Sequence, residues 1–594
     1  MDRVKEMLQY VRQKQLYFIC GIALILTLIR LYLYYKATYS IDMTASYDDQ
    51  LFIHYARNLV DGQWLGEYNA KTLSKGISYS LFLAFANKIQ LPYSLLLGGF
   101  NILASVLITL SVKPIVKKNS ILFFIYVFFL FSPIGFTHEY STRIYRNAIV
   151  IPSVVIIVAC LLAIYYRKYR ATKTILPWFF LLSLIFPFYW YIREDSLWLL
   201  PFVLAALIIS FVQILLGVDF RPTKTVEKFL SQITFDRRKL IKLSLFFLPM
   251  ISFIVTNQMI KHKNEEVYHL AVVNDRTSGE FAQLMKNLIR IDDGTNINKE
   301  NSRIWVSHEA LNKALAVSPA FAKEAARIKE LYTTHAWTQA GKVKELKGDI
   351  IFWALRDVLN ESGYYQNNAK ETNDFWKQVN QELRAAYRKG DLKKKREVYL
   401  MSTGDGKIAE DIPVLLDFFR TAYSDNLFYK DFHQGGNYSF GTHADVEAAQ
   451  NFLRVPLLNN WINSEDPQPP ILVLSKTAKI SNIMIAIYQK TSGVVLCLAI
   501  LGFLFLILGS IYAKKDRGFY CSALVITSGL ILTQFLFLFG VSWFCSYSPE
   551  QKDYFLSVYT GAGVPIMQIA MVLIFLGISK ISWGKIKHKL KLNK

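Results

Sequence analysis

Residues 44–80 read TASYDDQLFIHYARNLVDGQWLGEYNAKTLSKGISYS, a polar stretch directly behind the first very apolar segment of the chain. Two adjacent carboxylates, Asp48 and Asp49, stand near its head. Leu51, Phe52, Tyr55, Ala56 and Leu59 then recur at helical spacing and give one apolar face. Such a helix can lie along a membrane surface, with both aspartates at its N-terminal end and close to the bilayer edge. Gly62 supplies the stop. Ser46 and Asp49 also fit a capping box, which would make the aspartates a helix start and nothing more.

Outward from this loop the chain falls into two kinds of sequence. Of 594 residues, 53% are hydrophobic and 15% aromatic, with long runs almost free of charge and one large, ordinarily polar block in the middle. That pattern implies an α-helical polytopic membrane protein with one sizeable soluble domain. The net charge of +23 does not imply nucleic acid, because the basic residues cluster beside apolar runs, as in cytoplasmic membrane loops. Of the five cysteines, Cys20, Cys160, Cys497 and Cys521 fall inside apolar segments and Cys545 just beyond one, with no CxxC pair. A disulfide scaffold and a cysteine metal site are therefore not expected. Arg3, Lys5, Arg12 and Lys14 precede the first apolar run, which is long and lacks a small-residue cleavage site, so a retained helix is expected.

A spanning helix needs about 20 mostly apolar residues. Ten stretches qualify as candidates: 15–35, 92–112, 120–137, 148–166, 175–192, 196–217, 241–259, 491–513, 518–541 and 560–579. Residues 77–90 are apolar but short, with Asn87 and Lys88, and read as a second surface helix. With the N-terminus inside, the loops 113–119, 167–174, 218–240 and 514–517 and the C-terminal tail (Lys580 to Lys594) all fall inside, and each is a basic cluster. The alternate loops are much poorer in lysine and arginine, so the pattern obeys the positive-inside rule. The expected organisation is an N-terminal membrane module at 1–259 with the loop 37–91, an extracytoplasmic soluble domain at 260–474, and a C-terminal membrane module at 475–594. In the middle block 307–331, 349–361, 371–389 and 443–453 read as helices, divided at Gly404/Gly406, Gly435-Gly436 and Pro467 to Pro470. His269, His308, His335, His433 and His443 are scattered without metal-ligand spacing, and Trp305, Trp337, Trp353 and Trp376 read as core before they read as a sugar platform.

On this topology the outer face gathers Asp48, Asp49, Glu139, Arg143, Arg146, Arg193, Glu194 and Asp195. Ionisable groups at bilayer depth are costly, so their concentration at span ends is informative. Moving a sugar from a lipid phosphate needs a carboxylate to take the acceptor's proton and cations to stabilise the departing phosphate. Arginine suits the second task, since it stays charged and forks onto phosphate oxygens. The bland counterpart is that these arginines bind lipid headgroups or pair with the neighbouring acids. Lys552 and Tyr554, just before the last span, could touch a lipid-linked donor or form an interfacial anchor.

Several stretches carry a family resemblance. Tyr47-Asp48-Asp49-Gln50, Tyr55-Ala56-Arg57 and Gly62-Gln63-Trp64-Leu65-Gly66 are similar to the Asp-Glu loop after the first helix of GT-C superfamily membrane glycosyltransferases, in the branch of protein O-mannosyltransferases and aminoarabinose transferases. Thr72 to Tyr79, with Lys75 inside it, resembles the segment that follows, and Lys552-Asp553-Tyr554-Phe555-Leu556 echoes an Arg-Tyr-Leu motif near the last helices. The resemblance covers 15–260 and more faintly 490–580. It implies a polyprenyl-phosphate or polyprenyl-diphosphate sugar donor and a glycan, polymer or protein acceptor outside the cell membrane. It further implies Asp48 or Asp49 as catalytic base, Glu139 as a second acid and, in some branches, a divalent metal. A transporter or flippase for lipid-linked glycans and a non-enzymatic assembly protein are the alternatives. The first should carry ionisable groups inside its spans.

Overall fold

The computed structural model describes residues 2–217, 236–294, 304–331, 337, 345–366, 368–435, 438–458, 475–513 and 516–579, with side chains from Lys14 onward. The basic loop 218–235, His335, Gly436, Pro467 to Pro470, Lys514, Lys515 and the tail from Lys580 lie outside the described residues. The molecule is a helical multi-pass membrane protein. Among the described residues seven helices are long and apolar enough to cross a bilayer, namely Lys14–Tyr35, Tyr93–Val112, Asn147–Arg167, Ser196–Leu216, Arg237–Tyr268, Lys476–Tyr512 and Arg517–Cys545.

The remaining expected spans are helical but differ in length or shape. Asn119–Leu130 and Leu176–Trp190 have 12 and 15 residues. At 1.5 Å per residue they rise about 18 and 22 Å, short of a hydrocarbon core of about 30 Å. Pro549–Tyr559 and Gly563–Ser579 form a pair bent by 57°. The expected 120–137 span ends early because Ser132 precedes Pro133 and is driven out of the helical region, to ψ 132°. The chain then makes a 3₁₀ turn at Pro133–Phe136 and a π turn at His138–Thr142. Two expected boundaries move the other way: one helix continues past 259 to Tyr268, and another begins at Lys476 rather than 491.

Asn147–Arg167 is the central helix. It is apolar on every face and buried from Asn147 to Tyr165, as a helix without a polar side must be. It packs on Tyr93–Val112, Leu176–Trp190 and Leu200–Leu216. Several basic turns are joined by hydrogen bonds at one end of the bundle. Arg167 donates to the carbonyls of Leu110 and Ser111, and Lys242 to those of Lys168 and Arg170.

The core does not divide at 260 and 474. Gly279–Ile289, His308–Val317, Ile350–Glu361 and Ala369–Lys389 enclose a second core with Trp305 and Trp376 inside it. Ile412–Phe428 and His443–Leu453 instead place Phe418, Ala422, Val446 and Leu453 in the core of the membrane helices. Residues 39–43 fasten the parts together: Tyr39 bridges Leu457, Ser40 bridges Arg143 and Asp42 bridges Phe440.

Candidate active site

Both surface helices form, as Asp49–Val60 and Ser78–Lys88, and Gly62 adopts φ +78° just past the first. Asp48 is the N-terminal flanking residue, yet neither its carboxylate nor that of Ser46's expected partner Asp49 caps the helix. Both carboxylates are turned to other cations.

Asp49 has no exposed side-chain surface. It accepts from Arg143 Nε at 3.2 Å and Nη2 at 3.0 Å, and from the Asp42 amide at 3.1 Å. Arg143 also donates to Glu139 at 3.1 Å. Burial pushes Asp49 up to about 6, against the pull of Arg143. Asp48 differs. Its side chain is 41% exposed, and Oδ1 accepts from Lys75 Nζ at 2.6 Å and from the Tyr145 hydroxyl at 3.1 Å. Oδ2 carries no hydrogen bond among the described residues. Desolvation would raise its pKa, but Lys75 and Arg146 outweigh it and hold the group below the ordinary carboxylate range.

A second ion pair backs the first. Arg146 donates to Glu194 at 2.7 Å, and Glu194 accepts the Gly76 amide at 3.2 Å. Glycine is required at 76 because a Cβ there would lie 2.2 Å from the Tyr191 carbonyl oxygen. Arg193 grips Asp195 through two bonds of 2.8 Å and reaches the Asn147 side chain at 2.7 Å.

Two contributors, Arg276 and Tyr145, went unread in the sequence, and a third, Trp353, was read there as core before a sugar platform. Trp353, from the middle block, lies under Lys75 at 4.9 Å and under Arg276 at 4.1 Å, and its ring centre is 4.7 Å from that of Tyr47. Arg276 pairs with Asp349 at 2.8 Å, and its Nε carries no hydrogen bond among the described residues. Distance in sequence from the aspartate loop hid Arg276, and hid the place of Trp353 beside Lys75. Tyr145 stands between two arginines of a turn already singled out, so its place there was a usable signal.

Of the expected residues, Asp48, Asp49, Lys75, Glu139, Arg143, Arg146 and Glu194 form one cluster, with Arg193 at its edge. Tyr554 lies within electrostatic reach of Arg143 and Glu139. Lys552 is not in the cluster; it pairs with Asp417 at 2.9 Å. Among the described residues no group of three or more His, Cys, Asp or Glu is placed to hold a metal ion. The arrangement offers one accessible carboxylate, kept ionised, beside a bank of cations. It can accept a proton and hold an anion side by side. Comparison with protein-family models, curated proteins and solved structures gives no match for this chain.

Proposed function

We propose that this chain is a membrane glycosyltransferase of GT-C type, which moves a sugar from a polyprenyl-phosphate donor to a glycan, polymer or protein acceptor on the outer face. The observation that carries the reading is the contrast at 48–49: a partly exposed Asp48, whose Oδ1 lies 2.6 Å from Lys75 Nζ and whose Oδ2 carries no hydrogen bond among the described residues, with Arg146 behind it, next to a fully enclosed Asp49. Asp48 is the base. It takes the acceptor's hydroxyl proton as that oxygen bonds to the anomeric carbon. The bond from that carbon to the phosphate oxygen breaks, its electron pair stays on the phosphate, and Lys75, Arg146 and Arg276 offset the charge. Lys75 is shared: as it turns to the phosphate, Asp48 is released for the proton. Asp49 and Arg143 position the loop.

The test is transfer of label from a polyprenyl-phosphate sugar in membrane vesicles, with Asp48→Asn and Asp49→Asn at matched expression. Asp48→Asn is expected to lose at least about 100-fold in rate while inserting normally. Transfer by Asp48→Asn at the wild-type rate would overturn the reading.

One observation favours a lipid-linked-glycan transporter. Arg30, inside the first span, is 3% exposed and has no carboxylate partner among the described residues. It stacks 3.6 Å from Phe136 and donates to Tyr34 and the Gly135 carbonyl. Movement of labelled lipid across vesicles that depends on Arg30, without any transfer of sugar, would establish that reading instead.

A further inference from the structure

On another side of the Asp49–Val60 helix lies a cavity of about 330 Å³ that the transfer chemistry does not use. Three segments enclose it: that helix, the 65–71 loop and the Ile350–Glu361 helix of the middle block. We propose that it binds a neutral polyhydroxylated group, one or two sugar units in size, and serves as the acceptor subsite of the transferase. The second clause rests on the transferase reading; the first does not.

The chemistry of the walls makes the choice of ligand. His54, Asn58, Glu67, Lys71, Asp357 and Asn360 all face the cavity. Amide and ammonium donors are interleaved with carboxylate and imidazole acceptors, which is what a ring of hydroxyls, each donor and acceptor at once, requires. Among the described residues the side chains of His54, Glu67 and Asn360 make no protein hydrogen bond, nor does Lys71 Nζ, which lies 6.0 Å from the centre of the Tyr47 ring. Partial desolvation, with Arg57 and Lys71 nearby, lowers the His54 pKa, which favours the neutral ring. One lysine then faces two carboxylates, a balance that repels a phosphate. At roughly 30 Å³ per water the space holds about ten waters, and the volume lies at the small end of ligand pockets.

The cavity also shares a wall with the reacting loop. Tyr47, next to Asp48, donates to Asp357 at 2.5 Å, and Asp357 accepts from Trp337 at 2.8 Å. Asp357 therefore joins the cavity wall to Tyr47, the chain neighbour of the base. A sugar held against Asp357 would present the following unit of an acceptor chain to Asp48.

Binding is measured directly on the solubilised full-length protein by saturation-transfer NMR. The probes are glucose, N-acetylglucosamine, maltose and glycerol at millimolar concentration. At least one probe is expected to bind, and about tenfold more weakly to His54→Leu and to Asn360→Leu. His54 is exposed, so His54→Leu keeps the test decisive if Asn360→Leu fails to fold. Absence of binding by every probe, or equal binding by wild type and folded variants, overturns the site. Asp48→Asn should bind the probes as wild type does. Binding that persists while no variant affects transfer would leave the site standing and sink only its role as acceptor subsite.

Discussion

Asp49 accepts from Arg143 through both oxygens with no side-chain surface exposed, while Asp48 keeps one oxygen free. The two substitutions should therefore fail differently. Asp49→Asn removes half of a buried pair and is expected to cost about 3 kcal/mol, read as a fall in the thermal midpoint of solubilised protein. Asp48→Asn leaves the nearly buried Lys75 without its carboxylate, but Asp48 is 41% exposed, so the midpoint should fall less than with Asp49→Asn. An Asp49→Asn protein as stable as wild type would show that Glu139 alone satisfies Arg143. Glu194 gives the site a pH signature. Burial would raise its pKa, but Arg146 foremost, then Lys75 and Arg276, hold it at about 2, against an ordinary 4.5. A depressed carboxylate contributes stability that is complete above about pH 5 and is lost as pH falls through 2. The amount is of order 3 kcal/mol at neutral pH. Glu194→Gln should flatten the acid limb of the stability profile between pH 5 and 3; an unchanged limb would place the acid sensitivity elsewhere.

At the scale of the element, the 62–78 loop matters because it carries Lys75 to Asp48. Arg356, fully buried, donates to the carbonyls of Ala70 and Thr72 and pairs with Asp275 at 2.6 Å. Leu73 is held at φ +60° and accepts the Asp275 amide at 2.9 Å. Gly76 then presses its backbone on Tyr191. Gly76→Ala must displace one chain from the other, since the obstacle is a carbonyl oxygen and not a flexible side chain. Transfer should fall by about 100-fold, the usual consequence of a misplacement near 1 Å, with stability changed less than by Asp49→Asn. Wild-type transfer by Gly76→Ala would mean that the Lys75 position tolerates such a shift. Much of this element was legible: apolar spacing gave the Asp49–Val60 helix, Gly62 its end, and the short apolar run 77–90 the second helix, which runs Ser78–Lys88. The clamp was not. Nothing local to Arg356 distinguishes it from any arginine on an amphipathic helix, and its partners lie 81 to 286 residues away.

At the scale of the molecule, hydropathy marked the apolar helices among the described residues but not how each ends. Proline at 133 and the continuous helix through 259–268 are decided by local backbone chemistry and by what the polar end packs on. Sidedness is where charge and architecture meet. The turns that follow Tyr93–Val112 and Asn147–Arg167 are tied by Arg167 and Lys242 at one end of the bundle, while Asp48, Asp49 and the turns at 138–146 and 191–195 assemble together. Lysine-rich loops resist translocation, so the second group should face outward. Thr44 and Lys173 are exposed representatives of the two groups. The native cysteines interfere little, because Cys160 and Cys545 are buried and Cys20, Cys497 and Cys521 sit within apolar helices. A membrane-impermeant maleimide should label Thr44→Cys in intact cells and Lys173→Cys only after permeabilisation. The reverse pattern would put Asp48 on the side of the cytoplasm, where no lipid-linked sugar exported across the bilayer could reach it, and the transferase proposed here would have to be abandoned along with the topology.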